Sequence, residues 1–460
     1  MKIKIRIHFV GISGIGMSGI AELMLDKGYQ IQGSDKILNE NTKRLKTKGI
    51  KFFLGHNRKN IDKVDAVVFS SAIKSNNVEI KEAISRKIPL LSRADMLAEL
   101  MKNKKSIAIA GSHGKTTTTS LVGNILSHGK LDPTIVNGGI INSLSKNNRF
   151  GKGDWMVVEA DESDGSFLKL PHQISIITNL DIEHMDFYQN KSNLISSFNN
   201  FINMLPFYGT SVVCLDDKNL SSLVKKIKTR NIITYSIKNK KADVFIYDIK
   251  KNQKNTSFKL NTGNKPLFKL NNFKFTINTI GDHNTLNTTA SIIVAKLVGV
   301  SNNSINTALK NYKGVKRRFT LLGRKHNSLI YDDYAHHPTE IQATLSAAKN
   351  LKKDIVVIFQ PHRFSRTKIL MNEFVNVLSK LKNLILLETY AAGEKEIKGA
   401  TSKDIYSNIL KKNKKVIYVK NIKDLSSNIN QHIIKEKIII FMGAGSISNI
   451  AKKYFLKNEK

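Results

Sequence analysis

The residues of greatest chemical consequence stand in one run, Gly111-Ser112-His113-Gly114-Lys115-Thr116-Thr117-Thr118, directly after the apolar stretch Ile107-Ala108-Ile109-Ala110. A buried strand that turns sharply through glycines into a helix leaves backbone N–H groups pointing at open space beside a positive helix end. Lys115 would then reach the β- and γ-phosphates of a nucleoside triphosphate, and the Thr116 hydroxyl would hold Mg²⁺. The usual spacing has a glycine where Ile109 stands, so a compact variant of the phosphate loop is expected.

Carboxylates that could complete such a site follow two further apolar runs. One run, at 154–164, ends in Glu159-Ala160-Asp161-Glu162-Ser163-Asp164, and the other, at 173–186, ends in Asp181-Ile182-Glu183-His184. Mg²⁺ takes oxygen ligands and keeps several waters, so one or two carboxylates suffice. Glu159 is the first choice of ligand, with His184 for a second ion; a surface acidic loop and a capping or core histidine are the plainer readings. A second glycine run, Gly11-Ile12-Ser13-Gly14-Ile15-Gly16-Met17-Ser18-Gly19, lies between a strand at 4–10 and a helical pattern at 20–27. Gly14-x-Gly16-x-x-Gly19 fits a dinucleotide fingerprint, and any diphosphate suits it. Further on, Arg317-Arg318 follows a glycine turn as a phosphate clamp or a solvated pair, and Asn284 opens a helix at 288–298 as a nucleobase contact or a cap.

These groups need a scaffold that gathers them. Apolar strands at 328–332, 354–360 and 437–442 run into Asp333-Tyr334-Ala335-His336, Pro361-His362-Arg363 and Gly443-Ala444-Gly445. Repeated strands with polar exits read as doubly wound parallel sheets, whose ligands bind at the carboxyl ends of the strands. The expected fold class is α/β in three domains. A Rossmann-like domain would span 1–102, a central P-loop ATPase domain with a parallel sheet 103–313, and a C-terminal Rossmann-like domain 314–460. The net charge of +38 comes from 74 Lys+Arg against 36 Asp+Glu, dispersed among Asn and Ile in stretches such as 250–254 and 411–415. It reads as decorated solvated faces rather than a nucleic-acid site, which would add an aromatic stacking cluster. A single cysteine, Cys214 in an apolar run, excludes an internal disulfide framework. No run of about 18 apolar residues appears, so no membrane insertion is expected and the cytoplasm is the default location.

The set as a whole resembles the Mur ligase family. The motifs that carry the resemblance are GISGIGMSG from Gly11, GSHGKTTT from Gly111, EADESD from Glu159, NLDIEHMD from Asn179 and GDHNTLN from Gly281. GVKRRF from Gly314, YDDYAHHPTE from Tyr331, QPHRFSRT from Gln360 and GAGSI from Gly443 complete it. The resemblance implies an ATP-dependent amide-bond ligase of peptidoglycan precursor synthesis, using ATP and two Mg²⁺ ions. Its implied substrates are UDP-N-acetylmuramate and L-alanine.

Residue by residue, the resemblance implies that Gly111, Ser112, His113, Gly114, Lys115, Thr116 and Thr117 hold ATP, with Asn284 at adenine, Arg318 at phosphate and Asp333 at ribose. Thr116, Glu159 and His184 would bind metal. Gly11, Ser13, Gly14, Gly16, Met17, Ser34, Asp35, Ser70 and Ser71 would hold UDP, with Asn137 and Gly138 on a substrate-facing turn. Lys115, His184, His336 and Arg363 would be the catalytic set, His336 and Arg363 on the amino-acid side. The rival within the family attaches a tripeptide to the same UDP-sugar. An NAD-dependent oxidoreductase and a nucleic-acid-binding NTPase are the readings from other classes. A monomer or weak homodimer is expected.

Overall fold

The computed structural model describes residues 5–144, 146–263, 270, 271, 273–325, 327–412, 416–421, 425 and 437–456. Residue 4 of the first expected strand and residues 413–415 of the basic stretch lie outside them. The strands form three sheets. In the first, β1 (Arg6–Val10), β2 (Gln30–Asp35), β3 (Lys51–Leu54), β4 (Ala66–Phe69) and β5 (Leu90–Ser92) lie in the order β3-β2-β1-β4-β5, all parallel. The order reverses between β1 and β4, and that is where an open α/β sheet leaves a crevice for ligands.

The second sheet contains β6 (Lys105–Ala110), β7 (Thr134–Ile141), β8 (Lys146–Arg149), β9 (Trp155–Glu159), β10 (Ile174–Ile177) and β11 (Thr210–Cys214). It continues through β12 (Asn231–Ser236), β13 (Val244–Lys251), β14 (Thr256–Asn261) and β15 (Lys274–Ile277), in the order β15-β14-β13-β12-β11-β10-β6-β9-β7-β8. The third is β16 (Thr320–Lys325), β17 (Ser328–Asp333), β18 (Ile355–Phe359), β19 (Asn383–Leu387), β20 (Ile417–Val419) and β21 (Ile438–Met442), ordered β16-β17-β21-β18-β19-β20. β6 and β10 read Ile107-Ala108-Ile109-Ala110 and Ile174-Ser175-Ile176-Ile177, all buried, as strands covered on both faces must.

The chain divides into two compact units. One comprises residues 1–249, 257–278 and 286–313 and carries the first two sheets; the other comprises 250–256, 279–285 and 314–460 and carries the third. Inside the first unit the β7–β8 hairpin, which the sequence pattern does not announce, grips the Ile15–Asp26 helix through two buried amides. Asn147 Nδ2 donates to the Ile15 carbonyl at 2.8 Å and Asn148 Nδ2 to that of Gly19 at 2.9 Å. A Cβ on Gly19 would stand 3.0 Å from Asn148 Oδ1, so the third glycine of the fingerprint permits this close packing. The helix begins at Ile15, five residues before the expected start, with Gly14 as its cap and Gly11, at φ 82°, making the left-handed turn after β1.

Ser34 illustrates how a strand-exit residue can turn inward. It is fully buried, and its hydroxyl donates to Glu79 Oε2 at 2.6 Å beside His56 Nδ1 at 3.0 Å. Asn60 Nδ2 adds a 2.7 Å bond to Glu79 Oε1, and His8 Nε2 stands 3.6 Å away. Burial works to raise the Glu79 carboxyl, but His8, Ser34 and Asn60 together outweigh it and bring it down to about 2. A lowered carboxylate contributes stability above its unfolded value of about 4.5, and that contribution is lost as pH falls toward 2. Glu79→Gln is expected to lower the urea midpoint at pH 7 and to flatten the stability loss between about pH 4.5 and 2; an unchanged acid limb would contradict the network.

Candidate active site

β6 ends at Ala110 and the chain turns at Gly111 (φ 130°) and Gly114 (φ 86°) into the Lys115–His128 helix. The loop is locked from β10. Asn179 Oδ1 accepts from the His113 amide at 2.7 Å, its Nδ2 donates to the His113 carbonyl at 2.9 Å, and Thr178 Oγ1 donates to the same carbonyl at 2.6 Å. A Cβ on Gly111 would meet Thr178 Oγ1 at 2.2 Å, and one on Gly114 would meet Asn287 Oδ1 at 2.8 Å, so both positions need glycine for space as well as for φ. Ser112 Oγ accepts from the Asp181 amide at 2.8 Å, and His113 Nε2 pairs with Asp181 Oδ2 at 2.8 Å.

Lys115 curls back over this loop. Its Nζ donates to the carbonyl of Gly111 at 2.6 Å, to that of Ser112 at 3.2 Å and to Glu162 Oε1 at 2.8 Å. Burial opposes the charge on this ammonium, but Glu162, Asp161 and Glu159 outweigh it and push its pKa up, so Lys115 stays protonated. Burial first, with Asp161 adding, drives the Glu162 carboxyl up to about 7 against the pull of Lys115. The Thr116 hydroxyl donates to Glu159 Oε1 at 3.0 Å, and the Gly138 amide on β7 donates to Glu159 Oε2 at 2.6 Å. β9 therefore delivers Glu159 to the first helical turn after the loop. His184 caps the short Met185–Tyr188 helix with φ 57°, and its Nε2 is 3.9 Å from Glu162 Oε1. Ligand atoms of Glu162, Glu183 and His184 all lie within 4.8 Å of one another, a spacing that admits a cation.

At the other glycine loop, Gly11 adjoins Ser70 across the β1/β4 crevice, where its Cβ would stand 3.2 Å from that of Ser70. Asp35 holds the loop's shape: Oδ2 accepts from the Ser13 amide at 3.0 Å and Oδ1 from Ile37 at 3.2 Å. Met17 is a core side chain, which leaves only its backbone to a ligand, and Asn137 is buried on β7, whereas Ser71 is exposed.

In the second unit the two arginines divide their tasks. Arg317 Nη2 donates to the carbonyls of Gly443 at 2.5 Å and Gly445 at 3.3 Å, tying down the loop after β21. Arg318 Nη1 lies 3.5 Å from Glu340 Oε1. Asp333 accepts from the Phe319 and Ala335 amides, each at 2.7 Å, and burial pushes its carboxyl up to about 6. His336 Nδ1 donates to the Tyr334 carbonyl at 2.9 Å, which makes Nε2 the basic nitrogen of the neutral ring. His362 stacks on Tyr390 at 5.5 Å, and burial, with His336, Arg366 and Arg363 adding, drives its pKa down to about 3. Arg363 is exposed with a positive φ of 70°. Asn284 Nδ2 donates to the Ile280 carbonyl at 2.8 Å in the first turn of the Asp282–Leu297 helix.

Three family profiles match in order: Mur ligase family, catalytic domain, over residues 6–105; Mur ligase middle domain over 109–295; and Mur ligase, glutamate ligase domain, over 317–445. A UDP-N-acetylmuramate–L-alanine ligase of Rickettsia typhi is 45% identical over 454 residues, which cover 97% of this chain and 91% of that protein. The chain belongs to the Mur ligase family. Its fold matches the crystal structure of the UDP-N-acetylmuramate–alanine ligase of Thermotoga maritima with a TM-score of 0.82 at 28% identity, covering 98% of each chain. It also matches a murein peptide ligase of Psychrobacter arcticus with a TM-score of 0.72 at 23% identity, again over 98% of each chain, a likeness of fold.

In this Mur ligase the residues that the sequence reading passes over are Glu162, Asn179 and Asn287. Glu162 stands inside the acidic run, yet only the path of the chain after β9 shows that it, and not its neighbours, meets Lys115. Asn179 and Asn287 act through backbone and glycine contacts with the loop, for which no spacing rule exists.

Proposed function

We propose that this protein joins L-alanine to the lactyl carboxylate of UDP-N-acetylmuramate, in the cytoplasm, with ATP converted to ADP and phosphate. The observation that carries the reading is the Lys115 cradle, a charged ammonium over a glycine loop with Thr116 and Glu159 beside it. Full-length similarity to alanine-adding ligases, higher than that to the peptide ligase, supports alanine as the acceptor.

A carboxylate resists an amine until one of its oxygens becomes a leaving group. The lactyl oxygen attacks the γ-phosphorus of ATP, the bond to the β-phosphate oxygen breaks, and an acyl phosphate and ADP result. The alanine amine then attacks the acyl carbon, and the tetrahedral intermediate expels phosphate. Such transfer depends on positioning and charge neutralisation, supplied here by Lys115 and Arg318. His336 Nε2 takes the proton that the alanine ammonium must lose before it attacks, and Arg363 faces the amino-acid carboxylate. The glycine loop at 11–19, with Asp35, Ser70 and Ser71, holds the UDP. Asn284 meets the adenine and Asp333 the ribose.

Thr116 and Glu159 offer a hydroxyl and a carboxylate oxygen, a donor set that fits Mg²⁺, and His184 with Glu162 and Glu183 would hold a second ion. When bound, Mg²⁺ neutralises developing phosphate charge. Substrate labelled with ¹⁸O in the lactyl carboxylate is expected to deliver one ¹⁸O atom to the released phosphate. Unlabelled phosphate would rule out the acyl phosphate route.

A further inference from the structure

Arg93 is the first residue of the Arg93–Met101 helix, whose cap is fixed by a reciprocal pair: Ser92 Oγ accepts from the Asp95 amide at 3.2 Å and Asp95 Oδ2 from the Ser92 amide at 2.9 Å. Lys169 Nζ pins Asp95 further at 2.9 Å. These bonds fix the start of the helix under Arg93, whose side chain lies against Gly16 of the first glycine run. Arg93 Nη1 stands 3.2 Å, and Cδ 3.4 Å, from where a Cβ on Gly16 would be. A side chain at position 16 would crowd the guanidinium.

This guanidinium is only 27% exposed, and among the described residues the carboxylate it pairs with is Asp161, whose Oδ2 is 3.7 Å away, beyond hydrogen-bond length. Among the described residues its N–H donors have no hydrogen-bond acceptor. Burying most of a guanidinium without acceptors is costly, and the planar fork is the side chain best matched to paired phosphate oxygens. The neighbouring Arg86 shows the contrast: it is exposed and bonds both Asp62 and Glu82 at 2.7 Å.

We infer that Arg93 is a substrate-positioning residue that reads the diphosphate of the UDP-sugar, its fork held over Gly16 with Asp161 as a loose counter-ion until the ligand arrives. The inference rests on the reading that this loop takes a UDP-sugar. It gives the Gly16 position a second reason to be glycine, room for the arginine. It also gives the loop discrimination that backbone amides alone lack, because a monophosphate offers the fork fewer oxygens than a diphosphate.

The test is calorimetric titration of wild-type protein, Arg93→Lys and Arg93→Ala with UDP, UMP and ADP. Wild-type protein is expected to bind UDP more tightly than UMP. Arg93→Ala is expected to lose on the order of 10- to 100-fold in UDP affinity, as for a charge-assisted contact, with UMP affinity changed far less. Arg93→Lys should fall between, and ADP binding should stay within about twofold, showing that the fold survives. Variants that keep the wild-type preference for UDP over UMP would overturn the role of Arg93 while leaving the UDP-sugar reading intact. Loss of ADP binding alongside UDP would make Arg93 a structural residue and overturn the inference. Wild-type protein indifferent to UDP would overturn the reading of the loop itself and the inference with it.

Discussion

Lys115→Ala is expected to remove turnover, with phosphate release falling by on the order of 10²- to 10³-fold or more. The ammonium lies over the phosphate loop, where two loop carbonyls and Glu162 already hold it. Its removal also leaves Glu162, 1% exposed, without its partner. Breaking a buried pair in this way costs about 3–5 kcal/mol, lessened here because the Glu162 carboxyl is already inclined to take a proton. In the double variant Lys115→Ala, Glu162→Gln the buried unpaired charge is gone, so stability should return, and turnover should not. Turnover restored by the second change would mean that Lys115 serves only to balance Glu162.

Glu159→Gln carries the second large effect. The glutamine keeps the shape that bridges the Thr116 hydroxyl and the Gly138 amide, but it removes the charge that suits a divalent ion. Turnover at saturating ATP is expected to drop about 10²-fold, and the Mg²⁺ concentration for half-maximal rate to rise about tenfold, as for loss of a ligand contact. A Mg²⁺ titration that coincides with that of the wild type would place the ion elsewhere. Glu159 is crowded against β7, since a Cβ on Gly138 would stand 2.7 Å from Glu159 Oε1. The carboxylate therefore has little freedom to drift when its charge is lost.

Much of this site is legible in the amino-acid order, and the illegible parts share a cause. The phosphate loop can be read because an apolar strand, glycines and a lysine are local signals, and the α/β pattern because buried parallel strands are written as short apolar runs. The strand exits at Glu159, Asp333, Gln360 and Gly443 fall where the pattern puts them. Three things depend instead on residues far apart in sequence. Gly11 rather than Gly14 makes the turn after β1 because the helix starts early, and Asn147 then grips its first carbonyl across the hairpin. Ser34 has the chemistry of a ligand contact, yet Glu79, 45 residues away, draws its hydroxyl into the core. Glu162, 47 residues from Lys115, competes with four neighbouring polar residues for a partner that only the folded chain reveals.

This chain activates the carboxylate of UDP-N-acetylmuramate and passes it to L-alanine. The most direct measurement is phosphate release from ATP with UDP-N-acetylmuramate and, in turn, L-alanine, the murein tripeptide, or no acceptor. Sustained release with L-alanine, and little with the tripeptide or without acceptor, is the expected result. Release that prefers the tripeptide, or that ignores UDP-N-acetylmuramate altogether, would contradict the account.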